Sequence, residues 1–446
     1  MTRAATRIAA GSGVALVVAF AIGVFVSTSA LAATYTVTTD SGNPATAGSL
    51  PYEIGLANTA GGTNTITFAS TANGTITLTS GELELTGSQT LTITGNGASN
   101  TVISGNGASR VFEVDAGVSL SLSGVTVENG STNEANGSGI DVDGGSLDLS
   151  DSTVTGNAGD DDDGVGIVNN GSGTVTITQS TVSNNTVTEG SGGGAANNGS
   201  GTFNILDSTF VGNVSDIRGG GILVQGGTLN IIDSTFNDNS GLGGAISTFH
   251  DDGSIDIIDS TLADNPSSEA GDDIFILEGD TVTVTVAGSI LTNSGGSTVS
   301  CSGAVTDGGY NIDNGTSCGF TAASDHSSTD PDLGSLASNG GPTQTMALDA
   351  GSAAIEAGES GTACTSVNDS EDQRGYERPG VAGTACSIGA YEYGASAPTT
   401  TVPVPTSGAV TGSSPALPWG IVFTLFGVAA LLLITTGLRA RNRRPI

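Results

Sequence analysis

Gly271-Asp272-Asp273-Ile274 sets two carboxylates side by side. Paired carboxyl groups divide general-acid and general-base work in glycoside hydrolysis, so Asp272 and Asp273 are the candidate catalytic residues. Basic residues are scarce. There is no lysine, His250 and His326 are the two histidines, and Arg110 and Arg218 are the arginines of the central region. An acid–base enzyme would require Asp272, Asp273, His250 and Arg218 to meet in one groove. Acids are abundant. Asp160, Asp161, Asp162 and Asp163 are consecutive, and Asp207, Asp233 and Asp259 recur at a spacing of 26. Stacked carboxylates repel, and a hard cation with oxygen ligands relieves that, so calcium is the expected ligand if these seven residues hold one. The bland alternative is a solvated acidic face, and the pattern contains no Gly-Gly-x-Gly-x-Asp calcium repeat.

The four cysteines, Cys301, Cys318, Cys364 and Cys386, all fall late in the chain. An even number in an exported chain implies disulfides. Three pairings are open, of which the local ones, 301–318 and 364–386, are favoured. No Cys-x-x-Cys is present, which argues against structural zinc. Arg374 and Arg378 stand among Glu371, Asp372 and Glu377 and are expected to ion-pair rather than to catalyse.

The elements that must position these residues repeat. Asn157, Asn185, Asn213, Asn239 and Asn265 are spaced 28, 28, 26 and 26 apart, each ending a segment such as Gly201-Thr-Phe-Asn-Ile-Leu-Asp-Ser-Thr-Phe-Val-Gly-Asn213. Within a unit apolar and polar residues alternate, for example Phe203, Ile205 and later Phe210, which is the signature of a strand with one buried face. Gly, Asn, Asp and Ser punctuate the runs as turns require. Short strands, no crossover helix and a fixed period describe one coil of a β-solenoid, which buries its apolar face by stacking on its neighbours. Stacking about 4.8 Å apart would join the repeated Asn side chains into a ladder. Asn also suits the left-handed corner such a coil needs. Eight or nine coils would make a rod about 40 Å long. Ser49 through Asn58 reads as a short helix with Ser49 as N-cap and Pro51 in its first turn, part of a cap over the first strand edge.

The termini read as membrane signals. Arg3 and Arg7, an apolar run and Ala30-Leu31-Ala32 make residues 1–32 an expected signal peptide. Residues 395–418, rich in Pro, Thr and Ser, read as a stalk. Residues 419–438 have the length and apolarity of a transmembrane helix, and the basic tail 439–446 would hold the C-terminus inside. The chain is thus expected on the outer face of the cell membrane or wall. Its outer part carries four arginines against 44 acids, a formal charge of −40. That field repels DNA, RNA and anionic polymers, so nucleic acid is excluded as a partner.

Two stretches carry a family resemblance. Asn339-Gly-Gly-Pro-Thr-Gln-Thr345, Gly351-Ser-Ala-Ala-Ile355, Asp372-Gln-Arg-Gly375, Arg378-Pro379 and Cys386-Ser-Ile-Gly-Ala-Tyr-Glu392 resemble the choice-of-anchor Q region of bacterial surface proteins. Gly48 to Thr59 resembles the N-terminal cap of surface β-helix proteins. Phe210-Val-Gly-Asn213, Phe236-Asn-Asp-Asn239 and Gly243-Gly-Ala-Ile246 resemble repeats of chlamydial polymorphic outer-membrane proteins and, more broadly, pectin-lyase-like β-helices. The resemblance implies an all-β, right-handed parallel β-helix on residues 63–298, an N-terminal cap on 33–62 and a disulfide-containing C-terminal cap region on 299–394. Gly271-Asp272-Asp273 resembles a stretch of the polygalacturonases, whose Gly-His-Gly and Arg-Ile-Lys partner motifs are absent. The expected function is therefore a non-enzymatic, surface-anchored protein that contacts a glycan, matrix or surface-protein ligand. The alternative is a surface polysaccharide lyase or glycoside hydrolase.

Overall fold

A computed structural model describes residues 32–133, 135–160, 163–249, 253–267, 271–293, 297–360 and 370–397. The predicted signal peptide, the transmembrane span, the basic tail and most of the stalk lie outside these residues. Among the described residues no helix is long and apolar enough to cross a membrane.

The chain winds as a parallel β-helix. Each complete coil contributes one strand to each of up to four parallel sheets. A front sheet stacks eleven strands from Ala33–Val37 to Thr306–Asp307, and a flank sheet stacks eleven from Gly74–Thr77 to His326–Ser327. A back sheet of nine strands runs from Leu83–Leu85 to Cys301–Ser302. A short sheet of five strands, Ser131–Asn133 to Ser240–Leu242, is inserted between flank and back. Ten steps along the front sheet span about 50 Å at the usual inter-strand distance, longer than the 40 Å expected. The coils also run past the expected boundary at residue 298, because Cys301–Ser302, Thr306–Asp307 and Ile312–Asp313 each pair in parallel with the strand of the preceding coil.

The period-two pattern puts like on like. In the front sheet Leu147 and Leu149 sit on Val175 and Ile177, which sit on Phe203 and Ile205, then on Leu229 and Ile231. All are buried. Phe210 and Phe236 stack across two coils with ring centroids 4.7 Å apart. In register, these inward apolar side chains meet apolar side chains, and a slip of one residue would turn the whole row outward. At the first coil Ser49 caps the helix α1, Leu50–Ala60, its side chain accepting from the Tyr52 N–H at 3.3 Å. Leu50, Ile54 and Ala57 cover the apolar end of the core. At the last coil the predicted disulfide Cys301–Cys318 is present, with Cα atoms 4.9 Å apart, and Cys318 and Phe320 close the core. Cys386 is also disulfide-bonded. Its predicted partner Cys364 lies outside the described residues.

The Asn ladder forms inside the coil. Asn157, Asn185, Asn213 and Asn239 each donate from Nδ2 to Oδ1 of the next asparagine at 2.8–2.9 Å. That same oxygen accepts the backbone N–H of the preceding asparagine at 3.1–3.2 Å. The left-handed residue of this corner is the one before, Gly156, Asn184, Gly212, Asp238 or Asp264, so the ladder asparagines answer to hydrogen bonding rather than to backbone freedom. A second ladder was not anticipated. Ser152, Ser180, Ser208, Ser234, Ser260 and Ser289 are buried, and each of the first five donates its backbone N–H to the hydroxyl of the next at 3.1–3.2 Å.

Beyond Phe320, which closes the core, the C-terminal region turns away from the end of the coils. After an antiparallel hairpin of Leu333–Ala337 and Thr345–Leu348, the segment 370–393 lies back along the flank sheet. Outward threonines receive it. Thr209 Oγ1 donates to Gln344 O at 2.6 Å, Thr235 Oγ1 donates to Gln373 Oε1 at 2.6 Å, and Thr261 Oγ1 accepts from Ala390 N at 3.1 Å. The expected cap region thus closes the last coil with its first part and forms a lateral strap with its last.

Candidate functional site

The strap decides the fate of three calcium candidates. Asp207, Asp233 and Asp259 stack at the front–flank corner with φ of 44–50°, a left-handed conformation that Asp tolerates better than most residues. Their period therefore has a backbone cause. Where the sequence suggests a solvated acidic face or, as the alternative, a bound cation, the strap inserts a guanidinium. Arg378 Nη2 donates to Asp233 Oδ1 at 2.8 Å and to Gly389 O at 2.7 Å, and Nη1 donates to Ser387 O at 3.1 Å. Burial, reinforced by Asp259 and Asp207 and opposed by Arg378, raises the Asp233 carboxyl well above the usual range. Burial works against the charge of Arg378, and the carboxylates of Asp233, Asp259, Asp372 and Glu392 override it, so its pKa lies above the ordinary value. Arg374 is fixed likewise, by Asp372 at 2.6 and 2.9 Å and between the rings of Tyr376 and Tyr391. Both arginines are the ion-pairing residues expected.

Asp272 and Asp273 part company. Asp273 is fully buried and ends the Asn ladder, accepting from Asn265 Nδ2 at 3.0 Å and from Asn293 Nδ2 at 3.3 Å. Burial pushes its carboxyl well above the usual range against its donors Asn265 and Ser300. It is a core residue, not an accessible acid. Asp272 accepts the Ser267 N–H at 3.3 Å and lines a cavity of about 620 Å³ on the strap side. Arg218 lines a different cavity, of about 370 Å³. The structure thus does not bring Asp272, Asp273 and Arg218 together, and His250 lies outside the described residues. Asp160 is exposed and accepts from Thr188 Oγ1 at 3.0 Å. Asp163 is half-buried and accepts from Gln225 Nε2 at 2.7 Å, while Asp161 and Asp162 lie outside the described residues. Among the described residues no three acids, histidines or cysteines are grouped to hold a metal.

The Arg218 cavity is the arrangement that sequence reasoning missed. It opens where the short sheet meets the back sheet, and Asn136, Asp163, Glu189, Gln225 and Phe249 share its wall with Arg218. Successive coils stack residues 137, 164 and 192 through backbone bonds to Asp163, Ser191 and Arg218, so the cavity follows the helix axis. An amide network leads away from its wall at Asn136. Asn136 Nδ2 and Asn198 Nδ2 both donate to Asn170 Oδ1, at 3.1 and 3.2 Å, and Asn170 Nδ2 donates to Asp141 Oδ1 at 2.8 Å. Asn198 Oδ1 is buried with no donor. The Arg218 guanidinium lies 4.9 Å from the Phe249 ring centroid and 5.8 Å from that of Phe275. Arg110, Arg374 and Arg378 all form ion pairs, whereas Arg218 forms none among the described residues, and its Nη1 is buried without an acceptor. A half-buried guanidinium beside an aromatic face, in a wall of amides and carboxylates, can hold a polyhydroxylated or carboxylated ligand by hydrogen bonds and ring contact.

No family model and no curated protein matches the chain. Among solved structures it is similar to the crystal structure of pectate lyase Pel9A, at 16% identity and a TM-score of 0.39, covering 81% of this chain and 96% of that one. The parallel β-helix is established by its own strand pairing.

Proposed function

We propose that this chain is a surface-anchored, non-enzymatic rod that binds a glycan in the Arg218 cavity. One observation carries the reading: in a chain of formal charge −34, Arg218 has no ion pair among the described residues while carboxylates stand in the same cavity wall. Ion pairing would be the default for such a residue, and a ligand that supplies acceptors is the alternative use of it. Phe249 adds the flat apolar face on which a sugar ring packs, and the amide row supplies donors and acceptors for hydroxyl groups. The resemblance of residues 339–392 to the choice-of-anchor Q region, with the stalk and apolar segment that follow, supports anchoring at the outer face of the membrane. Surface protease treatment of intact cells tests that part.

A second reading keeps one specific feature in view. Arg218 beside Asp163 and Glu189 is also what β-elimination would use, as a base next to carboxylates that bridge calcium to an acidic sugar. One experiment separates the two. The full chain and Arg218→Ala are exposed to a panel of neutral and acidic oligosaccharides, with calcium and with chelator. Retention without new ends, lost in Arg218→Ala, supports binding. Unsaturated products, lost in Arg218→Ala, make the chain a lyase, and saturated products with new reducing ends make it a hydrolase. Retention indifferent to Arg218→Ala overturns the site.

A further inference from the structure

A second unassigned site lies between the Asn-ladder corner and the returning hairpin. The 620 Å³ cavity adjoins another of about 570 Å³, and the two share Asp264, Asn293 and Met346. Six aspartates line this trough: Asp238, Asp264, Asp272, Asp330, Asp332 and Asp349. Among the described residues neither wall contains an arginine, a histidine or an aromatic ring. Its far side is the hairpin, whose Leu336 and Met346 give it aliphatic patches, and Asn237 Nδ2 fixes Met346 through its Sδ at 3.8 Å. Asp272 supplies the independent sign of a ligand. It is 7% exposed, it lines the cavity, and its Oδ2 has no hydrogen-bond partner. A sheltered carboxylate oxygen without a donor is costly, and a bound ammonium group removes that cost.

We infer that the trough binds a linear polyamine. Its negative charges are strung along the walls rather than gathered round one point, and among the described residues no three acids are grouped as a metal site. Distributed carboxylates call for distributed cations. The absence of a ring in the walls disfavours a sugar, whereas methylene runs between ammonium groups match Leu336 and Met346. Asp272 holds one ammonium group at the floor, and the exposed Asp238, Asp330, Asp332 and Asp349 face the others.

The test is calorimetric titration of spermidine, and separately of calcium chloride, into the full chain. Asp272→Asn should weaken spermidine about tenfold or more, the effect of removing a charge-assisted contact. Asp256→Asn, on the outer face of the front sheet, should leave it unchanged, as should Arg218→Ala. Should Asp272→Asn fail to fold, Asp238→Asn at the exposed rim replaces it, with a smaller loss expected. Equal weakening by Asp256→Asn and Asp272→Asn would reduce the binding to diffuse attraction by an acidic chain and overturn the proposal. Calcium binding tighter than spermidine at the same residue would overturn it as well.

Discussion

Asn213→Ala should break the rod from within. Asn213 Oδ1 accepts the Asn185 backbone N–H at 3.1 Å and Asn185 Nδ2 at 2.9 Å, while its own Nδ2 donates to Val182 O at 3.0 Å and to Asn239 Oδ1 at 2.8 Å. Truncation leaves the Asn185 N–H, one Asn185 amide hydrogen and the Val182 carbonyl without these partners, in a place with no solvent exposure. Each orphaned buried group costs about 1–3 kcal/mol, so the expected loss from the three is about 3–9 kcal/mol. The comparison is Asn204→Ala. Asn204 also belongs to a side-chain stack, donating to Thr176 Oγ1 at 3.2 Å and accepting from Asn230 Nδ2 at 2.8 Å, but on the half-buried outer face of the front sheet. Water replaces those bonds, and a loss below about 1 kcal/mol is expected. Urea unfolding followed by far-ultraviolet circular dichroism gives both values. The effect should be felt along the rod, since each coil is held by its neighbours. Equal losses for the two variants would show that the interior ladder is incidental and refute the reasoning.

Other expectations follow from the same contacts. Burial, with Glu113 and Asp143 adding and Arg110 and Asn170 opposing, raises the Asp141 carboxyl to about 6 from 3.8. A group whose folded pKa is raised stabilises most below its unfolded pKa and loses that contribution as pH rises through the folded one. Stability should therefore fall by up to about 3 kcal/mol from this group between pH 4 and pH 7, and Asp141→Asn should flatten that part of a pH-resolved melting curve. Arg378→Ala leaves Asp233 and the Ser387 and Gly389 carbonyls without their donor. A loss of about 3–5 kcal/mol is expected, with faster limited proteolysis in 370–393 than in the coils. Asp273→Asn should be tolerated better than Asp273→Ala, by about 1–2 kcal/mol in urea midpoint terms, because the amide oxygen still accepts from Asn265.

The coil, its core rows and the Asn ladder were legible because they are periodic, and each repeated residue meets its own copy. The disulfide 301–318 was legible because it is local. The ladder's left-handed neighbour was misassigned, since Asn fits both corner positions and spacing does not separate them. The strap was hidden because its contacts join residues far apart, as Arg378 with Asp233 or Gln373 with Thr235, outside any repeat. The Asp stack therefore reads in the sequence as a solvated acidic face or a cation site, because its counter-charge lies elsewhere in the chain. The Arg218 cavity was hidden for a related reason. Arg218, Phe249 and Glu189 belong to different coils, and coil lengths change between them. A side chain lacking an ion pair also becomes visible only once its surroundings are known.

The most direct test is a crystal structure of the chain with a retained oligosaccharide from the binding panel. The account predicts a sugar ring on Phe249 with its oxygens forked by Arg218 and bonded to the Asn136–Asn170–Asn198 amide row. A saccharide held on the front sheet or in the strap-side trough, with the Arg218 cavity left unchanged, would contradict it.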